Sequence, residues 1–167
     1  MNASENHSVA VEKLYRSPGH DFYGRHRKGR KNHVIEDCCE LDLVAKHGVL
    51  GDRFFDYKKD YKGQITFFDE RVYQAVKQEF FLSTLPASAF RRNVLLSGID
   101  LNALIGKEFS FAGLRFSGSE EARPCYWMDE ACAPGVEDFL KGRGGLRCRI
   151  LRSGTLRKGF AELKIEA

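Results

Sequence analysis

The chain has 167 residues, of which 43% are hydrophobic and 30% charged, and its formal net charge is +4. This length and composition describe one globular domain with its own core, and they exclude global disorder. The charge excess is too small to imply a nucleic-acid protein, although Arg25, Arg27, Lys28, Arg30 and Lys31 concentrate positive charge in one short stretch.

Met1 to Ser8 is polar, which sets the expectation of a flexible N-terminus over residues 1–8 and one domain over 9–167. No signal-type apolar segment and no run near the roughly twenty apolar residues that span a bilayer is visible, so a cytoplasmic protein with no membrane contact is expected. Alternating and apolar segments predict strands at Ala10 to Tyr15, Cys39 to Ala45 and Gln64 to Phe68. Asp69 is placed to cap a helix from Glu70 to about Phe81, where Val72, Val76 and Phe80 recur at fourfold spacing. A strand follows at Asn93 to Leu96. Lys107 to Phe111 and Leu114 to Ser117 flank Ala112-Gly113 and read as a hairpin.

Pro134 is placed to open a shorter helix through Val136, Phe139 and Leu140. A second hairpin is expected from Leu146 to Leu151 and Thr155 to Leu156 around Ser153-Gly154. In its first strand Leu146, Cys148 and Ile150 share one face and Arg147 and Arg149 the other, while Ala161, Leu163 and Ile165 repeat the alternation at the end of the chain. Most of these strands lie too close in sequence for helical crossovers. The expected fold is mainly β: a partly open antiparallel barrel with two or three short helices.

Five cysteines, with Cys38 and Cys39 adjacent and no Cys-x-x-Cys pair, argue against a disulfide framework and against a zinc ribbon. Cys125 stands out in Glu121-Ala122-Arg123-Pro124-Cys125, a polar approach beyond a strand end. Two readings stand side by side: a buried inert thiol, or a soft metal ligand and nucleophile on a loop. Cys132, seven residues on, reads as structural. Three stretches suit an anion. Arg91-Arg92-Asn93 offers guanidinium forks beside an amide, and Gly48-Val49-Leu50-Gly51-Asp52-Arg53 offers a tight turn that Asp52 can brace. Gly142-Arg143-Gly144-Gly145 offers exposed N–H groups as a possible nest. His20 and His26 read as surface or hydrogen-bonded residues, and no Ser-His-Asp order or paired-carboxylate pattern supports hydrolysis.

The run Arg91 to Asn102, the Glu121 to Cys125 stretch and Gly142 to Leu151 occur in an order that resembles the MOSC domain, the module named after the C-terminal part of molybdenum-cofactor sulfurases. The likeness spans Val9 to Ala161 and implies a β-barrel that binds the molybdenum cofactor (molybdopterin) or acts in sulfur transfer linked to it. In family enzymes that reduce N-hydroxylated compounds, a cysteine on the loop matched by Arg123-Pro124-Cys125 coordinates molybdenum. Cys125 is thereby implied as catalytic metal ligand, and Ser17, Arg53, Arg92 and Asn93 as cofactor contacts. The sequence departs where stand-alone bacterial members often carry a His-rich segment, reading Phe54-Phe55-Asp56-Tyr57 instead, and Arg16 replaces a lysine. The aminotransferase-like domain of full sulfurases has no counterpart, so no pyridoxal phosphate site is expected.

Two functions follow from the resemblance. One is reduction of a small N-hydroxylated substrate with electrons from a partner reductase. The other is a non-enzymatic carrier in which Cys125 holds a persulfide or the cofactor, exchanging with a sulfur donor or acceptor protein. Nucleic acid is not an expected partner.

Overall fold

The computed structural model describes residues 4–20 and 33–166, so the basic stretch 25–31 and His26 lie outside the described residues. In chain order the elements are β1 (Glu5–Arg16), β2 (Glu36–Asp37), β3 (Glu40–Val44), β4 (Gly48–Val49), β5 (Ile65–Asp69), α1 (Glu70–Glu79), β6 (Val94–Ser97), β7 (Glu108–Phe111) and β8 (Leu114–Glu121). They continue with α2 (Trp127–Ala131), α3 (Val136–Leu140), β9 (Leu146–Arg152), β10 (Gly154–Arg157) and β11 (Gly159–Ile165). Among the described residues no helix is long and apolar enough to cross a membrane.

β1 has twelve residues, enough to serve two neighbours, and this closes the barrel. Its first half pairs antiparallel with β11 from Glu5↔Ile165 to Val11↔Gly159, and its second half pairs with β6 from Ala10↔Ser97 to Leu14↔Val94. The register shifts between Val11 and Lys13, where the strand changes partner. The ring then runs β11-β7-β8-β9-β5-β6-β1. The fold is thus the expected mainly β barrel with three helices, and the seam expected to stay partly open is paired. Residues 5–8, expected to precede the domain, belong to that seam.

β5 is buried along its whole length, so an uninterrupted apolar run replaces alternation there. Phe67 points into the barrel, where its ring meets Phe116 at 5.4 Å, and Phe109 stacks on Phe116 at 5.4 Å. Phe68 points the other way and packs on Phe90 at 4.5 Å, within a second core built from Val76, Met128, Val136 and Leu140. Each fully buried Phe contributes about 1.5–3 kcal/mol of burial free energy. β5 and β6 are parallel, with α1 in the crossover between them. Asp69 caps α1 as expected, accepting from Arg71 N at 2.9 Å. The helix stops at Glu79, two residues short of the expected end, because Phe81 turns to φ 54 and Leu82 N closes on Lys77 O at 2.9 Å.

The hairpin around Ala112-Gly113 forms, with both turn residues at positive φ. The second expected hairpin does not. β8 runs along one edge of β9; on the other, β5 covers Leu146 to Cys148, and beyond it Ile150 N donates to Gln64 Oε1 while Ile150 O accepts from Lys46 N, so β10 does not fold back along β9. It pairs instead with β3, from Gly154↔Leu43 to Arg157↔Glu40, in a small sheet completed by β4. The bend is held where Ser153 Oγ accepts from Ala45 N at 2.7 Å. The second helix also differs from expectation: Gly135 at φ 97, not Pro134, leads into α3. α2, which starts two residues after Cys125, gave no periodic signal because it is only five residues long.

Candidate functional site

Ser17 leaves β1 at the rim of the barrel and docks on the turn that follows β4. Its N–H donates to Asp52 Oδ1 at 2.9 Å, and its carbonyl accepts from Arg53 N at 2.8 Å. Asp52 also accepts from Phe54 N at 3.3 Å, so the expected bracing of this turn holds. Gly48 and Gly51, at φ 134 and 85, supply the conformations the turn needs. Arg53 is directed across the rim: its Nη1 donates to Asp52 Oδ1 at 3.2 Å and its Nη2 to the Arg91 carbonyl at 3.1 Å. The guanidinium carbon lies 4.7 Å from the centre of the Phe54 ring.

The three residues before β6 each do something different. Arg91 has φ 55, a left-handed conformation, and its Nη2 donates to Ser17 Oγ at 3.1 Å and to Gly19 O at 2.8 Å. Arg92 is 8% exposed and donates to the carbonyls of Gly144 (3.1 Å), Phe90 (3.4 Å) and Ala122 (3.0 Å). Ala122 opens the Cys125 loop, so this guanidinium fastens that loop to the 142–145 turn. Asn93 Oδ1 accepts from Thr66 N and Oγ1 at 3.0 and 3.1 Å, while Nδ2 donates to Tyr15 O at 3.1 Å. Asn93 therefore acts first as a bracket between β1, β5 and β6, leaving one amide N–H for other use.

No carboxylate forms an ion pair with Arg92 among the described residues. Burial pushes its guanidinium down to about 10, and the charges of Arg147 and Arg53 push the same way against those of Cys125 and Glu121. Cys125 is half-buried, and burial raises its thiol above the ordinary value, while a hydrogen bond from the Trp127 backbone and the Arg92 charge oppose the rise. Its carbonyl accepts from Met128 N at 2.9 Å and starts α2. Ser17, Arg53, Arg92 and Asn93 line one small cavity together with Arg91. Cys125 is not part of that lining; it lies on the loop that Arg92 holds, within electrostatic reach of it.

In the glycine-rich turn one backbone N–H is already taken by the chain's own carboxylate, since Gly144 N donates to Glu121 Oε2 at 3.1 Å. A Cβ on Gly144 would stand 2.4 Å from Ala122 O, so the two loops touch backbone to backbone. Beyond Arg53, Phe54 stacks on Tyr61 at 5.4 Å, and Tyr57 meets both rings. His20 sits edge-on to Phe54 at 5.0 Å, not on an open surface, and burial with Arg53 and Arg91 nearby lowers its pKa. Sequence reasoning missed His20, Tyr61 and Arg147 as neighbours of the site; an aromatic run after an Asp-Arg turn was the available signal. Among the described residues no group of three or more His, Cys, Asp or Glu side chains could hold a metal ion.

Residues 46–161 match the family model of the MOSC domain, about two thirds of the chain. The chain belongs to the MOSC domain family. No curated protein sequence matches it. Solved structures show the same fold: the YuaD protein from Bacillus subtilis superposes with a TM-score of 0.79 at 18% identity, covering 99% of this chain and 100% of that one. YiiM from Escherichia coli gives 0.64 at 18% identity, over 98% of this chain and 70% of that one. YiiM from Geobacillus stearothermophilus gives 0.68 at 13% identity, over 95% and 75%. The MOSC match covers the Asp52-Arg53 turn, the Arg91-Arg92-Asn93 corner and the Cys125 loop, and Ser17 lies outside it.

Proposed function

We propose that this MOSC protein holds the molybdenum cofactor with Cys125 as protein ligand to the metal, and that it reduces N-hydroxylated compounds with electrons from a separate reductase. Arg92 carries the proposal: a buried guanidinium with no carboxylate ion-pair partner among the described residues ties the Cys125 loop to a cavity lined by Ser17, Arg53 and Arg91. An anionic ligand bound over this cluster would offset the Arg92 charge, which has no carboxylate ion-pair partner among the described residues. The donor set fits as well. A half-buried thiol that belongs to no group of three or more His, Cys, Asp or Glu side chains among the described residues suits a metal whose remaining ligands would arrive with a dithiolene.

When bound, the cofactor would supply two-electron oxygen-atom chemistry: the substrate N–O bond breaks and, with two protons and two electrons taken up, the oxygen leaves as water. The chain's own part is binding and orientation. Arg53 and Arg91 present guanidinium groups to the cofactor, Arg92 fixes the height of the Cys125 loop, and Phe54, Tyr57 and Tyr61 provide an apolar flank. The metal-ligand role and the carrier role both draw on the Cys125 thiolate, and burial, which raises its pKa, opposes both.

The test is metal analysis of protein purified from a cofactor-producing host, followed by assay with an artificial electron donor and an N-hydroxylated base. Wild type should carry molybdenum and turn over. Cys125→Ser should fold normally and lose turnover, since an alcohol is a poor soft-metal donor. Full turnover in Cys125→Ser rejects the ligand assignment, and a one-sulfur mass increment on Cys125 without molybdenum favours the carrier instead.

A further inference from the structure

A second cavity lies on the other flank of the 53–62 segment, with a lining that shares no residue with the arginine cluster. Its volume is about 510 Å³, and its walls include Lys46, His47, Lys58, Lys59 and Arg149, with Gln64 among them. Cavities of this size take small organic molecules. Its two carboxylates are already matched: Asp60 accepts from Arg149 Nε at 2.9 Å, and Asp56 is hydrogen-bonded to His47 Nδ1. Lys46, Lys58 and Lys59 have no carboxylate partner among the described residues, although the Lys58 ammonium lies 5.4 Å from the centre of the Tyr57 ring.

Gln64 is an independent pointer to a ligand. It is 2% exposed, and its Oε1 accepts from Ile150 N at 2.9 Å, which fixes the orientation of the amide. Its Nε2 donors then reach the cavity and make no hydrogen bond among the described residues, a position that a ligand acceptor would satisfy. The backbone adds a third sign. Lys46, Asp56 and Asp60 have φ of 71, 55 and 52, left-handed conformations that cost free energy in residues with a Cβ. Such strain gathers where a surface is shaped to hold something.

We infer that this cavity binds a phosphomonoester with an organic body. Ammonium groups act as point charges suited to a tetrahedral phosphate, whereas the Arg149 fork that would favour a planar carboxylate is taken by Asp60. The phosphate lies among Lys46, Lys58 and Lys59. The body runs along Ile150 and Leu151 and offers an acceptor to Gln64 Nε2.

Adenosine 5′-monophosphate, inorganic phosphate and adenosine are the probes, titrated calorimetrically into the full chain at low ionic strength, with the nucleotide titration repeated by ¹H–¹⁵N NMR. Adenosine 5′-monophosphate should bind at least tenfold more tightly than either fragment, and the Gln64 side-chain amide signals should shift. Lys58 and Lys59 are exposed, so Lys58→Ala with Lys59→Ala leaves the core intact and should weaken binding at least tenfold. The inference fails if no probe binds, or if inorganic phosphate binds as tightly as the nucleotide. It fails equally if the lysine pair has no effect, or if the shifts centre on Arg91 and Arg92.

Discussion

Arg92 concentrates several roles in one side chain. It satisfies three carbonyls, positions the thiol loop and supplies the positive charge that opposes the rise of the Cys125 pKa. Arg92→Met removes the donors and strands the carbonyls of Ala122 and Gly144, which should cost about 2–4 kcal/mol even though a desolvated charge is also lost. Arg92→Lys should recover little, since one ammonium cannot span carbonyls on separate loops. Urea unfolding of the three proteins decides this: equal stability of the lysine and arginine forms would show that charge alone, not the fork, is what matters.

The thiols give a second residue-scale test. Iodoacetamide should label exposed Cys39 readily and half-buried Cys125 more slowly at neutral pH, while Cys148, at 0% exposure, reacts only on unfolding. Peptide mapping that finds native Cys148 modified before Cys125 would reverse the assignment of the reactive thiol. The inward position of Cys148 was legible from its alternation with Arg147 and Arg149. The roles of Arg91 and Asn93 were not. Arg91 reaches Ser17 only because its own φ is positive, and Asn93 is occupied by residues 27 and 78 positions away. Neither fact leaves a trace in local spacing.

At the scale of elements, the loops at the site are held together by backbone proximity. Gly144 packs against Ala122 and Pro124, and a methyl group there would have to displace the segment that carries Cys125. Gly144→Ala should therefore destabilise by about 1–3 kcal/mol, the usual cost of overpacking, and should also change the Cys125 labelling rate. Gly142→Ala, where nothing lies within 4 Å of the added carbon, carries the backbone strain of a positive φ of 82 without a clash, and so shows what strain alone does to the labelling rate. A Cys125 rate unchanged by Gly144→Ala would show that the two loops move independently. The misread hairpin belongs to this scale too. Turn residues at Ser153-Gly154 predicted a reversal, but whether β10 returns along β9 depends on the edges of β9, and those are taken by β8, β5 and the Gln64 and Lys46 contacts to Ile150, all from distant parts of the chain.

For the molecule as a whole, the barrel couples its core to pH through buried thiols and a tyrosine. Burial holds the Cys148 thiol well above its ordinary value of 9.0, and it raises Tyr15 from 10.0 to about 12, with Asp37 adding to the rise. Below pH 9 these groups are protonated in folded and unfolded chains alike, and their contribution is complete. As pH climbs past 9 the unfolded chain releases the Cys148 proton while the folded chain keeps it, so stability falls; Tyr15 extends the fall toward 12. Cys38, Cys125 and Cys132, all raised by burial, act in the same direction. Arg92 has the opposite sign. Its pKa is depressed to about 10, so the cost of burying its charge is relieved only above that pH. The clean window is therefore pH 8 to 10. Urea midpoints measured across it should drop for wild type and drop less for Cys148→Val, which keeps an apolar side chain of similar size in the core. An identical slope in the two proteins would mean that the buried thiol does not set the alkaline limit of this barrel.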